Sequence, residues 1–493
     1  MSAEEAISSF GDGRLLVEKY IQEPRHIEFQ ILGDKMGNYV YLPERECSVQ
    51  RRNQKVIEEA PCAIMDEITR DRMGTQACNM ARHCGYYTTG TCEFLMDKKK
   101  DFYFLEMNTR LQVEHPITEE ITGIDLVEEM IKIAAGHKLE FGQKDIKIDG
   151  HSIEYRIYAE DPSRKFLPSI GFLRKYVEPV TKKDVRIDTG VNEGSEISMY
   201  YDPMISKLIV WGKDRDEAID KLNLGIDEYV IRGVSHNSGF CKAIINNEQF
   251  RKGNYTTAFI PTFFPTGYTG ETMTVSDHKL LSIMAHKMRH IINKRFQLKN
   301  VKYRERNANL NPLYTLIDDV YYKVTENFET GEYTVEEDGA AHTSTVYDKV
   351  KMDSFNMHKD SLIKSTLTGK DGKQIDETLQ YVKLTGFDHY HFFHRGTNVS
   401  IEVLDDKQRQ LRSFMPPPLK IDYSKMIVSP MPGNVVSLTV KEGDTVVDGQ
   451  EVCVIEAMKM QNIIRSETDA VVKKVHCKLN QPVVVDETLI EFE

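Results

Sequence analysis

The C-terminal stretch of this chain repeats itself, and that periodicity restricts the fold more than any other feature. At an offset of 37 residues, Val435 pairs with Val472, Leu438 with Val475, Val440 with Cys477, Val446 with Val483, Val452 with Leu489, Ile455 with Phe492 and Glu456 with Glu493. Apolar positions that recur in this way imply two equivalent β-units closing on a shared core. The run Glu456-Ala457-Met458-Lys459-Met460-Gln461-Asn462 falls at the midpoint of the repeat, so Lys459 is expected in the turn between the halves, projecting into solvent. Pro430-Met431-Pro432-Gly433 opens the unit and Glu442-Gly443-Asp444 marks an internal turn.

The rest of the chain is long enough for more than this unit. Its 493 residues, 40% apolar and 28% charged, suffice for about three domains. A net charge of -12 argues against nucleic acid as a partner. The eight cysteines show no ligand-like CxxC spacing, which reads as free thiols in a reducing compartment. No apolar run reaches the roughly 18 residues of a membrane span, so no membrane partner is expected. Met1-Ser2-Ala3-Glu4-Glu5 is acidic where a mitochondrial presequence would be Arg-rich, so a targeting peptide is not expected within this sequence.

The pattern predicts a multidomain chain, α/β followed by all-β. Residues 1–265 read as mixed α/β, with a strand at Arg25 to Leu32 and a helix at Asp66 to His83. In 266–299, Leu280, Met284, Met288, Ile291 and Ile292 share one face of a helix between Ser276 and Phe296, read as a connector. Residues 300–415 turn to short alternating strands (Tyr314 to Ile317, Tyr321 to Val324, Tyr333 to Glu336, Tyr381 to Leu384, His389 to His394, Val399 to Leu404) with turns at Thr330-Gly331, Asp338-Gly339 and Asp371-Gly372. An antiparallel sheet or barrel is expected there. Pro416-Pro417-Pro418 begins a stiff linker, 416–424, ahead of the repeat unit at 425–493.

The segments Gly90 to Asp97 and Asp101 to Arg110 predict a β-hairpin closed by Lys98-Lys99-Lys100. With period two, Phe104, Glu106, Asn108 and Arg110 share a face, and Glu93 faces them from the partner strand. Two carboxylates and an amide oxygen make a hard oxygen set suited to Mg²⁺, an ion that completes its octahedron with nucleotide phosphates. The carboxylates are expected to be embedded among Phe102, Phe104 and Leu105, where unpaired charge is costly.

Beyond the hairpin lie Leu111-Gln112-Val113-Glu114-His115-Pro116, and before it Gln50-Arg51-Arg52-Asn53-Gln54-Lys55 and Glu58-Glu59-Ala60-Pro61. In these motifs residues 1–265 resemble the biotin carboxylase component of the biotin-dependent carboxylases, an ATP-grasp fold. The repeat unit resembles their β-sandwich biotinyl domain, whose Ala457-Met458-Lys459-Met460 signature is intact. The resemblance implies covalent biotin on Lys459, and ATP with Mg²⁺ or Mn²⁺ as further cofactors. It implies two steps: ATP and bicarbonate give carboxyphosphate, and the CO₂ released is captured by biotin.

By the same resemblance Glu93, Glu106 and Asn108 are the metal ligands, and Arg110, Gln112 and Val113 the bicarbonate site, where a guanidinium fork suits a planar anion. Glu114 is the base for bicarbonate, which requires a carboxyl lifted towards neutrality. Lys55 lies near bicarbonate and the γ-phosphate. Arg156, in Glu154-Tyr155-Arg156-Ile157-Tyr158, steadies the biotin enolate with fixed positive charge. ATP is contacted by Glu18, Lys19 and Ile21 of the adenine hinge, by His26, Gln50, Gln54 and Lys55, and by Glu93 and Glu106. Asn53 departs from the histidine of bacterial members. The family begins with a nucleotide-fold domain and a glycine-rich lid. No such loop occurs in this sequence, so the chain is expected to start after both and to be inactive alone.

Tyr200-Tyr201-Asp202-Pro203-Met204-Ile205-Ser206-Lys207-Leu208 and Tyr229-Val230-Ile231-Arg232-Gly233-Val234-Ser235-His236-Asn237 are similar to the α subunits of mitochondrial acyl-CoA carboxylases. That likeness implies a matrix location, a carboxyltransferase β subunit gripped by the 300–415 barrel in a dodecameric hetero-oligomer, and a biotin protein ligase as modifying partner. A carrier that presents biotin without carboxylating it is the rival expectation.

Overall fold

Strand β1 (Arg25–Gly33) is buried along its whole length, although it alternates Ile27, Phe29 and Ile31 with His26, Glu28 and Gln30. A strand sends successive side chains to opposite faces, so its sheet must have one apolar and one polar buried face. The computed structural model describes residues 11–493 except 180–183, 298–310, 339–343, 353–360, 370–371, 387, 417–424 and 458–459, together with Ala3, Ala6 and Ile7. Lys459 and most of the expected linker lie outside the described residues. The chain forms two units, Met1–Tyr155 with Val210–Ala218 and Glu248–Pro265, and Arg156–Ile209 with Ile219–Asn247 and Thr266–Glu493.

In the first unit, β2 (Tyr39–Tyr41), β3 (Arg45–Arg51), β4 (Gln54–Ala60), β5 (Thr88–Met96), β6 (Phe102–Asn108) and β7 (His151–Tyr158) join β1 in the order β7-β4-β3-β1-β5-β6, with β2 paired to the end of β1. Helix α1 (Glu67–His83) covers the apolar face, packing Met73, Ala77, Cys78 and Ala81 on Ile27, Phe29, Ile31, Cys92, Phe94 and Met96. Asp66 starts it by accepting a hydrogen bond from Thr69 N at 2.8 Å. Helices α2 (His115–Thr122) and α3 (Leu126–Ala134) follow β6, and α3 buries Leu126 and Ile133 with Leu32, Val40 and Leu42.

In the second unit, helix α4 (Val275–Gln297) does more than connect. Residues 277–286 are buried without interruption, so every face of the helix is covered there. The cover is a closed eight-stranded antiparallel barrel: β8 (Leu313–Ile317), β9 (Val320–Asn327), β10 (Glu332–Glu337), β11 (Ser344–Met352), β12 (Leu362–Gly369), β13 (Gln374–Thr385), β14 (His389–His394) and β15 (Thr397–Leu404). All eight strands contribute to one apolar cluster with Leu281, Ile283, Met284 and Met288. Ser282 meets Thr315 of β8 at 2.6 Å and Lys279 meets Thr345 of β11 at 2.9 Å. Bonds to separate parts of a closed wall place the helix inside it.

The repeat folds as two four-stranded sheets. With β16 (Met426–Val428), β17 (Gly433–Leu438), β18 (Thr445–Val446), β19 (Glu451–Ala457), β20 (Met460–Arg465), β21 (Ala470–Val475), β22 (Pro482–Val483) and β23 (Thr488–Phe492), the orders are β16-β23-β21-β18 and β20-β19-β17-β22. Each sheet therefore takes two strands from each half of the repeat. Gly433 is needed at the start of β17, since a Cβ there would lie 2.6 Å from Ile455 Cγ2 and 2.7 Å from Glu456 O. Among the described residues no helix is long and apolar enough to cross a membrane.

Leu281, fully buried at the centre of the barrel, gives a test of the filled interior. Leu281→Ala should cost about 2–5 kcal/mol, the range for a large-to-small change in a core that cannot collapse. Urea unfolding followed by hydrogen exchange at barrel amides would measure it, and an unchanged midpoint would mean that the helix does not fill the barrel.

Candidate functional site

The polar face of the first unit's sheet gathers charge around Lys55 on β4. Its Nζ lies 2.6 Å from Glu28 Oε2, 2.5 Å from Glu114 Oε1 and 3.3 Å from Glu93 Oε1. Glu28 is fully buried and shared, because Arg45, also fully buried, reaches its other oxygen at 2.5 Å. Arg45 spends its remaining donors on Gln30, Thr118, Thr91 and Gln112. Burial pushes the Glu28 carboxyl up, but Arg45 and Lys55 outweigh it and hold it at about 2. Burial likewise opposes charge on Lys55, yet Glu28, Cys47, Glu114 and Glu93 raise it well above the usual lysine range.

Glu93 joins the two sides of the site. His26 Nε2 stands 2.7 Å from its Oε2, and Gln112 Nε2 and Asn108 Nδ2 donate to its Oε1 at 2.6 and 3.0 Å. Gln50 lies 2.9 Å from His26 Nδ1, and an amide donating there leaves the ring proton on Nε2, towards Glu93. Against burial, His26, Lys55 and Gln112 hold the Glu93 carboxyl at about 2. Glu114 precedes α2 as its N-cap residue, but its carboxylate makes no capping bond and turns to Lys55 instead.

The edge strand β6 departs from the expected period. Glu93 faces Glu106, but Phe94 faces Phe104, so Leu105 is an extra residue and the pairing shifts by one. Such a bulge re-aims the side chains that follow. Phe104 packs edge-on against Phe94 with centroids 6.0 Å apart, on the α1 face, while Glu106 and Asn108 turn with Glu93 to the polar face. Phe104 and Glu106 therefore do not share a face. Nor is Glu106 embedded, because it, Phe104 and Leu105 are all exposed on an edge strand.

Asn108 Nδ2 donates to Glu93 at 3.0 Å and to Glu106 at 3.3 Å. An amide N–H thus occupies the place between two carboxylates where a cation's charge fits. Turning the amide presents its oxygen instead, completing an oxygen set of the Mg²⁺ kind.

Arg110 is exposed, with Nη1 on Leu111 O at 3.2 Å, while Gln112 is buried and Val113 half-buried beside it. Gln54 is half-buried at the start of β4. The preceding Arg52 and Asn53 adopt positive φ as the two residues of a tight hairpin, a conformation that asparagine tolerates. Glu18 and Lys19 are exposed and Ile21 half-buried on the segment before β1, and Lys19 Nζ lies 5.3 Å from the centre of the Tyr103 ring. Arg156 lies buried in the second unit, its carbonyl accepting from Asn237 Nδ2 at 3.1 Å. Ala457 and Met460 pair across β19 and β20, on either side of Met458 and Lys459. Sequence reasoning missed Glu28, Arg45 and Cys47, and the available signal was charge at alternate positions of two buried strands.

Held at about 2 against an ordinary 4.5, Glu28 and Glu93 contribute stability that is present above about pH 4.5 and lost as pH falls towards 2. Lys55→Gln removes a cation from both, so both carboxyls should protonate at higher pH. Acid unfolding of the variant, followed by fluorescence of the single Trp211, should show its midpoint at higher pH than wild type. Coincident acid midpoints would remove Lys55 from the charge balance.

Known proteins match this architecture along the chain. Residues 1–141 match the family Carbamoyl-phosphate synthase L chain, ATP binding domain, residues 154–262 the Biotin carboxylase C-terminal domain, and residues 425–492 the family Biotin-requiring enzyme. The biotin carboxylase domain of 2-oxoglutarate carboxylase from Hydrogenobacter thermophilus, solved with MgADP and bicarbonate, is similar at 46% identity and TM-score 0.52, over 53% of this chain and 57% of that one. A biotin carboxylase–β,γ-ATP complex from Campylobacter jejuni is similar at 47% identity and TM-score 0.51, over 53% of this chain and 58% of that one. The mitochondrial propionyl-CoA carboxylase alpha chain of Homo sapiens is 44% identical over 100% of this chain and 67% of its own length, and the propionyl-CoA carboxylase alpha chain of Ruegeria pomeroyi 40% identical over 100% and 73%. The chain spans about two thirds of the length of the curated relatives it matches. Identity at this level, sustained from end to end, means that the chain belongs to the family of propionyl-CoA carboxylase alpha chains, which are biotin-dependent carboxylases.

Proposed function

We propose that the polar face around Lys55 activates bicarbonate with ATP, that biotin on Lys459 receives the carboxyl group, and that a carboxyltransferase β subunit passes it to propionyl-CoA, giving methylmalonyl-CoA. The observation that carries this reading is the convergence of Glu28, Glu93 and Glu114 on one lysine, at 2.6, 3.3 and 2.5 Å. Three carboxylates drawn onto one cation form a preorganised field whose balance shifts when anionic substrates enter. Glu114, 2% exposed, is the base that takes the bicarbonate proton. Arg110 reaches from the exposed loop to grip the anion in a fork, with Gln112 and the Val113 backbone beside it.

Glu93, Glu106 and Asn108 hold Mg²⁺ or Mn²⁺ in this reading, and the ion supplies charge neutralisation for the nucleotide phosphates. Lys55, His26, Gln50 and Gln54 orient the phosphate end of ATP, while Glu18, Lys19 and Ile21 hold adenine. Arg156 supplies fixed positive charge at the biotin ring. The domains follow as biotin carboxylase in 1–265, the central helix and barrel in 266–415, and the biotinyl sandwich in 425–493. β19 ends at Ala457 and β20 begins at Met460, and Lys459, between them in the sequence, is the proposed target of a ligase.

Propionyl-CoA is favoured as acceptor because relatives named for it are 40–44% identical, against 36% for a methylcrotonoyl-CoA carboxylase subunit of Dictyostelium discoideum. We place the protein in the mitochondrial matrix on the mitochondrial names of several relatives. The barrel is the element that grips the β subunit, in a dodecamer, since its closed wall offers a fixed surface.

Expressed with a biotin ligase and the β subunit, the wild type should bind streptavidin. Lys459→Arg should lose that binding, because arginine keeps the charge but offers no amine to acylate, while still co-purifying with the β subunit. Streptavidin binding that persists in the arginine variant would overturn the assignment of biotin.

A further inference from the structure

Inside the barrel, two histidines one helical turn apart share a space with a carboxylate from the wall. His286 and His290 project from α4 and Glu326 from β9, and one donor atom of each lies within 4.8 Å of the others. His286 is fully buried, yet neither of its ring nitrogens has a hydrogen-bond partner. Glu326 Oε2 stands 3.8 Å from His286 Nδ1, beyond hydrogen-bonding distance, and the two imidazole centres are 4.5 Å apart. Tyr333 closes on His286 edge-on at 5.7 Å and Phe328 on His290 at 5.6 Å.

Buried polar atoms are nearly always satisfied, so an imidazole wholly without partners in a protein interior calls for an explanation. A metal ion would take up the lone pair of one ring nitrogen and draw both imidazoles and the carboxylate together at once, which a single hydrogen-bond donor would not. Lys287, whose charge opposes a second cation here, is tied to Val350 O at 2.8 Å and lies 5.4 Å from the Tyr333 ring centre.

We propose that His286, His290 and Glu326 form a binding site for a divalent transition ion of the zinc type that clamps the central helix to strand β9. Two imidazoles spaced i, i+4 and one carboxylate suit zinc better than the oxygen-seeking Mg²⁺, and they leave a fourth position for water or another ligand. Drawing the three donors to about 2.0–2.2 Å from one ion requires only that gaps of up to 4.8 Å close by side-chain rotation. The role is structural. The site takes its ligands from the second unit alone, and it stands whether or not the barrel holds a β subunit.

The test uses the full chain, stripped with a chelator and kept in saturating Mg²⁺ so that the Glu93 oxygen set does not take up the probe. Titrated with Co²⁺, it should develop the visible absorption of tetrahedral cobalt at one equivalent, bleached by zinc. His290→Gln and Glu326→Gln, both at half-buried positions, should weaken cobalt binding at least about 10-fold, the loss that even an outer-shell partner's removal produces. Their metal-free melting temperatures should match that of the wild type, showing that the fold is kept. Zinc should raise the melting temperature of the wild type and not of the variants. Absence of the cobalt band, or equal cobalt binding by the wild type and both variants, would overturn the site.

Discussion

A carboxylate with no access to water, Glu28, is the point on which the first unit depends. Charge buried at that depth is tolerated only when fully paired, and Glu28 is paired on both oxygens, by Arg45 and by Lys55. The two cations lie on adjacent strands β3 and β4, so the demands of one side chain on β1 fix three strands relative to one another. Lys55, once anchored, lies within reach of Glu93 on β5 and of Glu114 ahead of α2. The groups assigned to the chemistry are therefore positioned by a residue outside the assigned set.

The second constraint is the bulge at Leu105. Without it, strict alternation would carry Glu106 and Asn108 to the α1 side, opposite Cys92 and Gly90. The extra residue turns them towards Glu93 and leaves Phe104 with the aromatic ring of Phe94. Edge strands tolerate such irregularities because only one side must pair. In the proposed reaction this puts the metal ligands at the open rim of the sheet and the charge network of Lys55 behind them.

Much of this was legible in the sequence, and the failures have physical causes. The offset of the C-terminal repeat sets β17 on β21 and β18 on β22 with matching bounds, and β19 on β23 with a matching start. The exchange of strands between the two sheets was not legible, because a repeat specifies equivalent units and not how they pair. Six of the eight barrel strands were read. β11 and β12 were not, since a register shift between Tyr347 and Lys349 breaks the alternation of β11 and Ser365 takes an inward position of β12. The helix read as a connector shows one apolar stripe, yet His278, Ser282 and His286 on its other faces are buried too. Polar side chains inside a barrel look like solvent-facing ones until the wall closes. Glu28 and Arg45 were passed over for the same reason: their burial is a tertiary fact.

The central claim is that the Lys55 face supplies the groups that activate bicarbonate for the carboxylation of biotin. Its most direct measurement is transfer of label from bicarbonate to the biotinyl group in an α–β holoenzyme in which the chain is joined to the family's nucleotide-fold domain and glycine-rich lid, given ATP and Mg²⁺, for wild type and Glu114→Gln with equal biotin content. The account predicts a loss of about 10²–10⁴ in rate for the glutamine variant, the usual effect of removing a positioned base, with nucleotide binding retained. Labelling at the wild-type rate in Glu114→Gln would contradict it.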